Sequence, residues 1–331
     1  MKVVQILSLA TALGLFACGD DGGNAGMPDA GTPDANEIIP QAPTQVSMVA
    51  TGDFEGPMDA VVTPDGATIY FSAHNKLAAN TETDAAIYSV ATDGGSPQLV
   101  ISGPPLEDPS GLLMSCDGST LYVADLGYQI DDAADPADTG KAPLYSLDLA
   151  NGVLSPMNAT GIGASAGLAL STDCSTMYVT GYDTAGTPAV FSLSPAGGAA
   201  TPVLAGAPLE SPSGVYIDAN NILWVMDHRD SNPVGGALWA IDQTGVATEV
   251  VTDLRISEPA GVSLVAGGQI AVIPSRDLDG NGQLITVDTV TMEQTIVPAA
   301  TMVEPAGIRT AIGAPVMAVV DTDGDAIYRA E

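Results

Sequence analysis

The run Pro109-Ser110-Gly111, Cys116-Asp117-Gly118, Leu121-Tyr122-Val123, Asp125 and Leu144-Tyr145-Ser146-Leu147 decides the fold, because it recurs. Its opening returns as Gly56-Pro57-Met58-Asp59, Ser165-Ala166-Gly167, Pro212-Ser213-Gly214, Pro259-Ala260-Gly261 and Pro305-Ala306-Gly307. With Asp59, Gly111, Gly167, Gly214, Gly261 and Gly307 as anchors, the spacings are 52, 56, 47, 47 and 46 residues. After each anchor comes a short β-branched or aromatic run, such as Ile69-Tyr70-Phe71, Met177-Tyr178-Val179 and Leu223-Trp224-Val225. A third follows, such as Ile87-Tyr88-Ser89-Val90, Val190-Phe191-Ser192-Leu193 and Leu238-Trp239-Ala240-Ile241. Asp-Gly and Asn-Gly turns separate the runs, and a fourth run leads to the next anchor. No stretch after the first 18 residues combines a 3.6-residue apolar period with helix caps. Four strands per unit at this period predict the blades of an all-β, six-bladed β-propeller.

The chain ends predict how the ring closes. The sixth unit stops at Glu331, just after its third strand, while a spare strand, Gln45-Val46-Ser47-Met48-Val49-Ala50, precedes the first unit. Pairing the spare strand with the last blade removes the open sheet edges. Strict alternation puts Val46, Met48 and Ala50 on one face. The expected organisation is a leader over 1–17, a spacer over 18–44 and one propeller over 45–331.

The chain of 331 residues carries 8 Lys+Arg against 40 Asp+Glu, a formal charge of −32. Charged residues are only 15%, so the imbalance is a shortage of bases. That excludes nucleic-acid binding, which needs clustered Lys and Arg to displace counterions. Hydrophobic residues at 46% exclude disorder for the bulk of the chain.

Met1-Lys2 followed by the uncharged apolar run Val3 to Phe16 has the form of an export signal. It ends in Leu15-Phe16-Ala17-Cys18, which resembles the bacterial lipobox. That resemblance implies cleavage before Cys18, lipid on Cys18, and a membrane partner through that lipid. Residues 19–44, rich in Gly, Pro, Asp and Ala, read as an acidic disordered spacer reaching at most about 80–90 Å. The expected address is exported and lipid-anchored, at the outer membrane on its periplasmic or cell-surface face. Export also predicts a disulfide between the two remaining cysteines, Cys116 and Cys174, in equivalent turns of neighbouring units.

Over residues 45–331 the repeats resemble the six-bladed superfamily that includes NHL, TolB-like and SMP-30/gluconolactonase-like propellers. For the gluconolactonases the resemblance implies a divalent metal over the channel. Glu55-Gly56-Pro57 matches that family's first-blade pattern, with Glu55 as its metal-binding glutamate. The later positions, where the family carries Asn, Asn and Asp, read Ser110, Ala166 and Ser213. One carboxylate, two hydroxyls and a methyl do not make an oxygen cage for a hard cation.

Other residues point to chemistry by position. Ala73, Asp125, Gly181, Asp227, Pro274 and Asp321 fall at equivalent ends of second strands, and His74, His228 and Arg229 lie just beyond two of them. Glu55, Asp227 and His228 are the catalytic candidates. His74, Asp125, Arg229 and Asp321 complete a candidate ligand-binding rim, against the alternative of a solvated loop face. Asp277-Leu278-Asp279-Gly280-Asn281-Gly282 matches the first half of a calcium loop, with Asp277, Asp279, Asn281 and the Gln283 carbonyl as ligands. The rival is a plain hairpin with Asn-Gly at its bend. An insertion from Gly127 to Lys141 reads as a lid, a partner contact or surface.

Two functional readings result. The first is a lipid-anchored propeller that binds a protein, glycan or small ligand without catalysis. The second is a metal-dependent lactonase or esterase with an altered site.

Overall fold

The β-branched runs and the turns between them build six antiparallel sheets, arranged as a six-bladed β-propeller. The computed structural model describes residues 41–79, 84–126, 143–229 and 235–331, with the side chains of 298–301 left aside. The leader, Cys18, most of the spacer and the 127–141 insertion lie outside the described residues. Within blades 1 to 5 the strands run in sequence order from the axis outward, and in blade 6 the outermost strand is the N-terminal one. Blade 4 is representative, with Ser211–Ile217 innermost, then Leu223–His228, Gly236–Ile241 and Ala247–Leu254. In blade 1 the inner edge is split, and Phe54–Glu55 and Ala60–Val62 both pair with Thr68–Asn75. A short parallel pair, Ala159–Thr160 with Gly198–Ala199, lies outside the blades.

The spare N-terminal strand closes the ring. Val46–Ala50 pairs antiparallel with Ala326–Ala330, with Val46 opposite Ala330 and Met48 opposite Tyr328. A register shift between Met48 and Ala50 breaks the expected alternation, and Met48 is 56% exposed while Val46 and Ala50 are buried. Six apolar clusters fill the six blade junctions, each drawing on two neighbouring blades. Phe71 stacks on Tyr88 and meets Phe54 edge-on, for example, and these three rings of blade 1 share their cluster with Ala318, Val320 and Ile327 of blade 6.

At the axis the inner strands approach too closely for side chains. A Cβ on Gly111 would overlap the carbonyl oxygen of Ala166 in the next blade; one on Gly167 would overlap that of Ser213, and one on Gly214 that of Ala260. Gly261 meets the Ile308 amide in the same way, and Gly307 meets Met58 and Asp59. The closeness lets polar groups cross every junction. Gly214 N–H donates to Ala260 (2.7 Å), Gly261 N–H to Ala306 (3.1 Å) and Gly307 N–H to Met58 (3.2 Å). Leu112 N–H donates to the Asp59 carboxylate (2.9 Å), Ser110 Oγ to the Ala166 carbonyl (3.3 Å), and Thr180 Oγ1 to the Ser213 carbonyl. Inside the ring, Arg309 of blade 6 reaches across to donate from Nη1 to the Val215 carbonyl of blade 4 (3.0 Å). Its Nε lies 3.7 Å from Asp59 Oδ2. Burial pushes the Asp59 carboxyl up, and Arg309 opposes that shift. The axial cavity that remains measures about 10 Å³, room for about one water.

The face opposite the strand-end residues carries the turns between first and second strands. Ser115 Oγ and Ser119 donate to the Asp117 carboxylate, and Ser171 Oγ and Ser175 do the same for Asp173. These hydrogen bonds hold both carboxyls down at about 2. Cys116 and Cys174, in these two turns, form a disulfide with Cα atoms 6.4 Å apart, tying blade 2 to blade 3.

The close approach has a direct consequence. Gly261→Ala is expected to destabilise the protein by about 1–3 kcal/mol, the usual cost of forcing a methyl into packed structure. Gly52→Ala, whose Cβ would meet only ordinary contacts, is expected to change stability by less than about 0.5 kcal/mol. Urea titrations of the two variants make the comparison.

Candidate functional site

The strand-end residues have a common local role. Asp125 is buried and accepts the Glu107 N–H (2.9 Å) and the Asp108 N–H (2.8 Å) from the loop that leads into its own blade. Asp227 accepts the Glu210 N–H (3.1 Å) and the Ser211 N–H (2.8 Å), plus Trp239 Nε1 at 3.3 Å. Asp321 accepts Val303 N–H (2.9 Å), Glu304 N–H (2.7 Å) and Gly324 N–H (3.2 Å). In blades 2, 4 and 6, then, one carboxylate clasps the lead-in loop. Burial pushes the Asp227 carboxyl up, while these N–H donors pull it back.

The other predicted residues fall in separate places. Glu55 is exposed on blade 1, paired across the strands with His74. His74 Nδ1 lies 3.2 Å from Asp84 Oδ1. Burial pushes nearby Asp108 up, and His74 draws it down. Ser110 and Ser213 donate to carbonyls of the next blade, so two of the positions aligned with lactonase metal ligands help to hold the ring together. Among the described residues, no three His, Cys, Asp or Glu side chains are grouped as a set of metal ligands.

The predicted calcium segment is a tight hairpin end. Asp277 Oδ1 accepts the N–H of Asp279 (2.9 Å) and of Asn281 (2.8 Å), and Oδ2 accepts Asn281 Nδ2 (3.0 Å). These bonds give each Asp277 oxygen a donor and hold its carboxyl below the ordinary range. This donor set fits a turn better than a calcium cage.

His228 and Arg229 do come together with partners that the sequence reading missed. A cavity of about 340 Å³ between blades 4 and 5 is lined by His228, Arg229, Arg255, Arg276 and Glu258, with Gly235, Gly236, Leu254, Ile256 and Gly280. Glu55, His74, Asp125 and Asp321 are not among its lining residues. Arg229 pairs with Glu249 and stacks over Trp239, 5.1 Å from the ring centroid. Arg276 pairs with Glu304 at 3.3 Å, and its N–H donates to the Arg255 carbonyl (2.8 Å), which sets the two residues side by side. His228 Nδ1 lies 3.6 Å from Glu258. The signal that could have found this site is scarcity: the chain has five arginines, and Arg229, Arg255 and Arg276 all fall in units four and five.

No protein-family profile and no curated protein sequence matches the chain. Solved structures do match in fold. TolB from Acinetobacter baumannii aligns with a TM-score of 0.52 and 15% identity over 83% of this chain and 54% of that one. The chain thus spans about half the length of that TolB. The periplasmic gluconolactonase of Pseudomonas aeruginosa aligns at 0.51 and 17% identity, over 82% of this chain and 80% of that one. A chain of the nidogen/laminin complex aligns at 0.56 and 12% identity, over 77% and 85%. At these identities the likeness is one of fold: the chain is a six-bladed β-propeller resembling TolB and gluconolactonase, and the fold carries no shared chemistry with it.

The hairpin geometry of Asp277 leads to an expected outcome for metal removal. EDTA added to calcium-equilibrated protein should leave the melting temperature unchanged. A drop of several degrees, reversed by calcium, would establish calcium binding instead.

Proposed function

We propose that the chain is an exported, lipid-anchored propeller that binds a ligand and does not catalyse its conversion. The observation that carries this reading is the engagement of Asp125, Asp227 and Asp321. A hydrolase needs carboxylates with free oxygens, to hold a metal or to move a proton within hydrogen-bond reach of substrate. These three are buried and already accept two or three N–H donors each. The axis, where a propeller could seat a substrate, is closed by Arg309. The cavity between blades 4 and 5 is of a size suited to a small ligand. A protein or glycan could engage the same loop face around it. The lipobox-like Ala17-Cys18 and the acidic spacer support the address, as does the occurrence of this fold in a periplasmic enzyme.

Metal analysis of the purified chain, together with assays on lactone and ester substrates, divides the two functional readings. The expected result is no stoichiometric metal retained after dialysis and no hydrolysis above the buffer rate. One tightly held metal per chain with hydrolysis lost in Glu55→Gln would establish the enzyme instead.

A further inference from the structure

A protein of charge −32 with five arginines places three of them, and one of its two histidines, around a single cavity. Its described lining residues include three arginines and one carboxylate, Glu258. Glu249 and Glu304, at ion-pair distance from Arg229 and Arg276, offset two of the three positive charges. The three guanidiniums are held differently. Arg229 is fixed by Glu249 and by the face of Trp239, and Arg276 by Glu304. Among the described residues, no hydrogen bond or ion pair engages the Arg255 guanidinium. An arginine so placed, beside the anchored Arg276, presents a planar fork of donors with no acceptor of its own.

The wall behind it is built, not incidental. Gly236 leaves no room for a side chain: a Cβ there would lie 2.6 Å from Ile256 Cδ1 and 2.7 Å from the Leu254 carbonyl. Ile256 and Leu254 are themselves buried in the blade 4–5 core. The cavity therefore has a packed floor and a rim of charged side chains.

We propose that this cavity binds a small ligand through an oxyanion group, a carboxylate or a phosphate. Arg255 takes the oxyanion as a bidentate fork, and Arg276 and Arg229 flank it. His228 and Glu258 stand at the edge, where they bond the polar remainder of the ligand. The proposal rests on the binding reading above and names the chemistry of its ligand.

Isothermal titration of the purified chain at constant ionic strength tests it, with citrate as the carboxylate probe, inorganic phosphate as the phosphate probe, and choline chloride as a control. The expected result is saturable one-to-one binding of citrate, phosphate or both, with none for choline. Arg255→Gln, at an unchanged melting temperature, should weaken that binding at least tenfold. Arg276→Gln serves as the second variant should Arg255→Gln fail to fold. Arg329→Gln, on blade 6 beside Glu331, should leave binding as it was. Binding of one probe alone assigns the oxyanion class. Absence of binding by both probes, or binding that survives both cavity substitutions, overturns the proposal. That failure is separable from failure of the broader reading, which the metal and hydrolysis measurements decide.

Discussion

Around the axis, each inner strand lies against the next at a distance that admits backbone but no side chain. Five of the six anchors are glycine for that reason, and each Cβ position is occupied by atoms of the neighbouring blade. The sixth anchor, Asp59, turns its carboxylate to the Leu112 and Ala60 amides, so it binds the junction that the glycines only permit. Backbone or short side-chain hydrogen bonds then cross all six junctions. Such bonds are strongest where water is excluded, and leaving one unmade there costs more than making it gains. The narrow axis also determines where function can sit. Arg309 fills what space is left, reaching from blade 6 to Val215 on blade 4. The roughly 10 Å³ left beside it is too small for a ligand, and a cavity large enough to take one lies off-axis, between blades 4 and 5.

The same economy explains most of the acid excess. Asp outnumbers Glu by 30 to 10. Asp117, Asp173, Asp242 and Asp288 cap turns through their own neighbouring N–H groups, and Asp125, Asp227 and Asp321 clasp lead-in loops. Aspartate is short enough to bond backbone two to four residues away, which glutamate does less well. A fold made of turns therefore accumulates aspartates without needing an anionic function. The few bases are the more informative residues, since no repeated turn calls for them.

The repeat was legible because a blade is a local object. Its strands and turns follow one another, so the 46–56-residue spacing of the anchors and the missing outer strand at Glu331 could be read directly and led to ring closure by Val46–Ala50. Met48 departed from the alternation because a bulge in an outermost strand has no signature in a five-residue run. Asp227 and His228 were legible as strand-end residues, but their neighbours in sequence do not tell whether a carboxylate faces a ligand or its own loop. Arg255 and Arg276 were missed for a related reason. They stand at different offsets in adjacent repeats, after an outer strand and at the end of a second strand, and meet only through the packing of blade 4 on blade 5. Periodicity reports what each blade repeats, whereas this cavity is made of what two blades do not share.

The closeness of the inner ring can be measured amide by amide. Native-state hydrogen exchange of Leu112, Gly214, Gly261 and Gly307 probes the hydrogen bonds that cross four of the six junctions. These amides should exchange only through global unfolding, at a free energy equal to that from denaturant titration. Exchange at the rate of outer-strand amides such as Leu99, well below the global free energy, would contradict a ring held together at its axis.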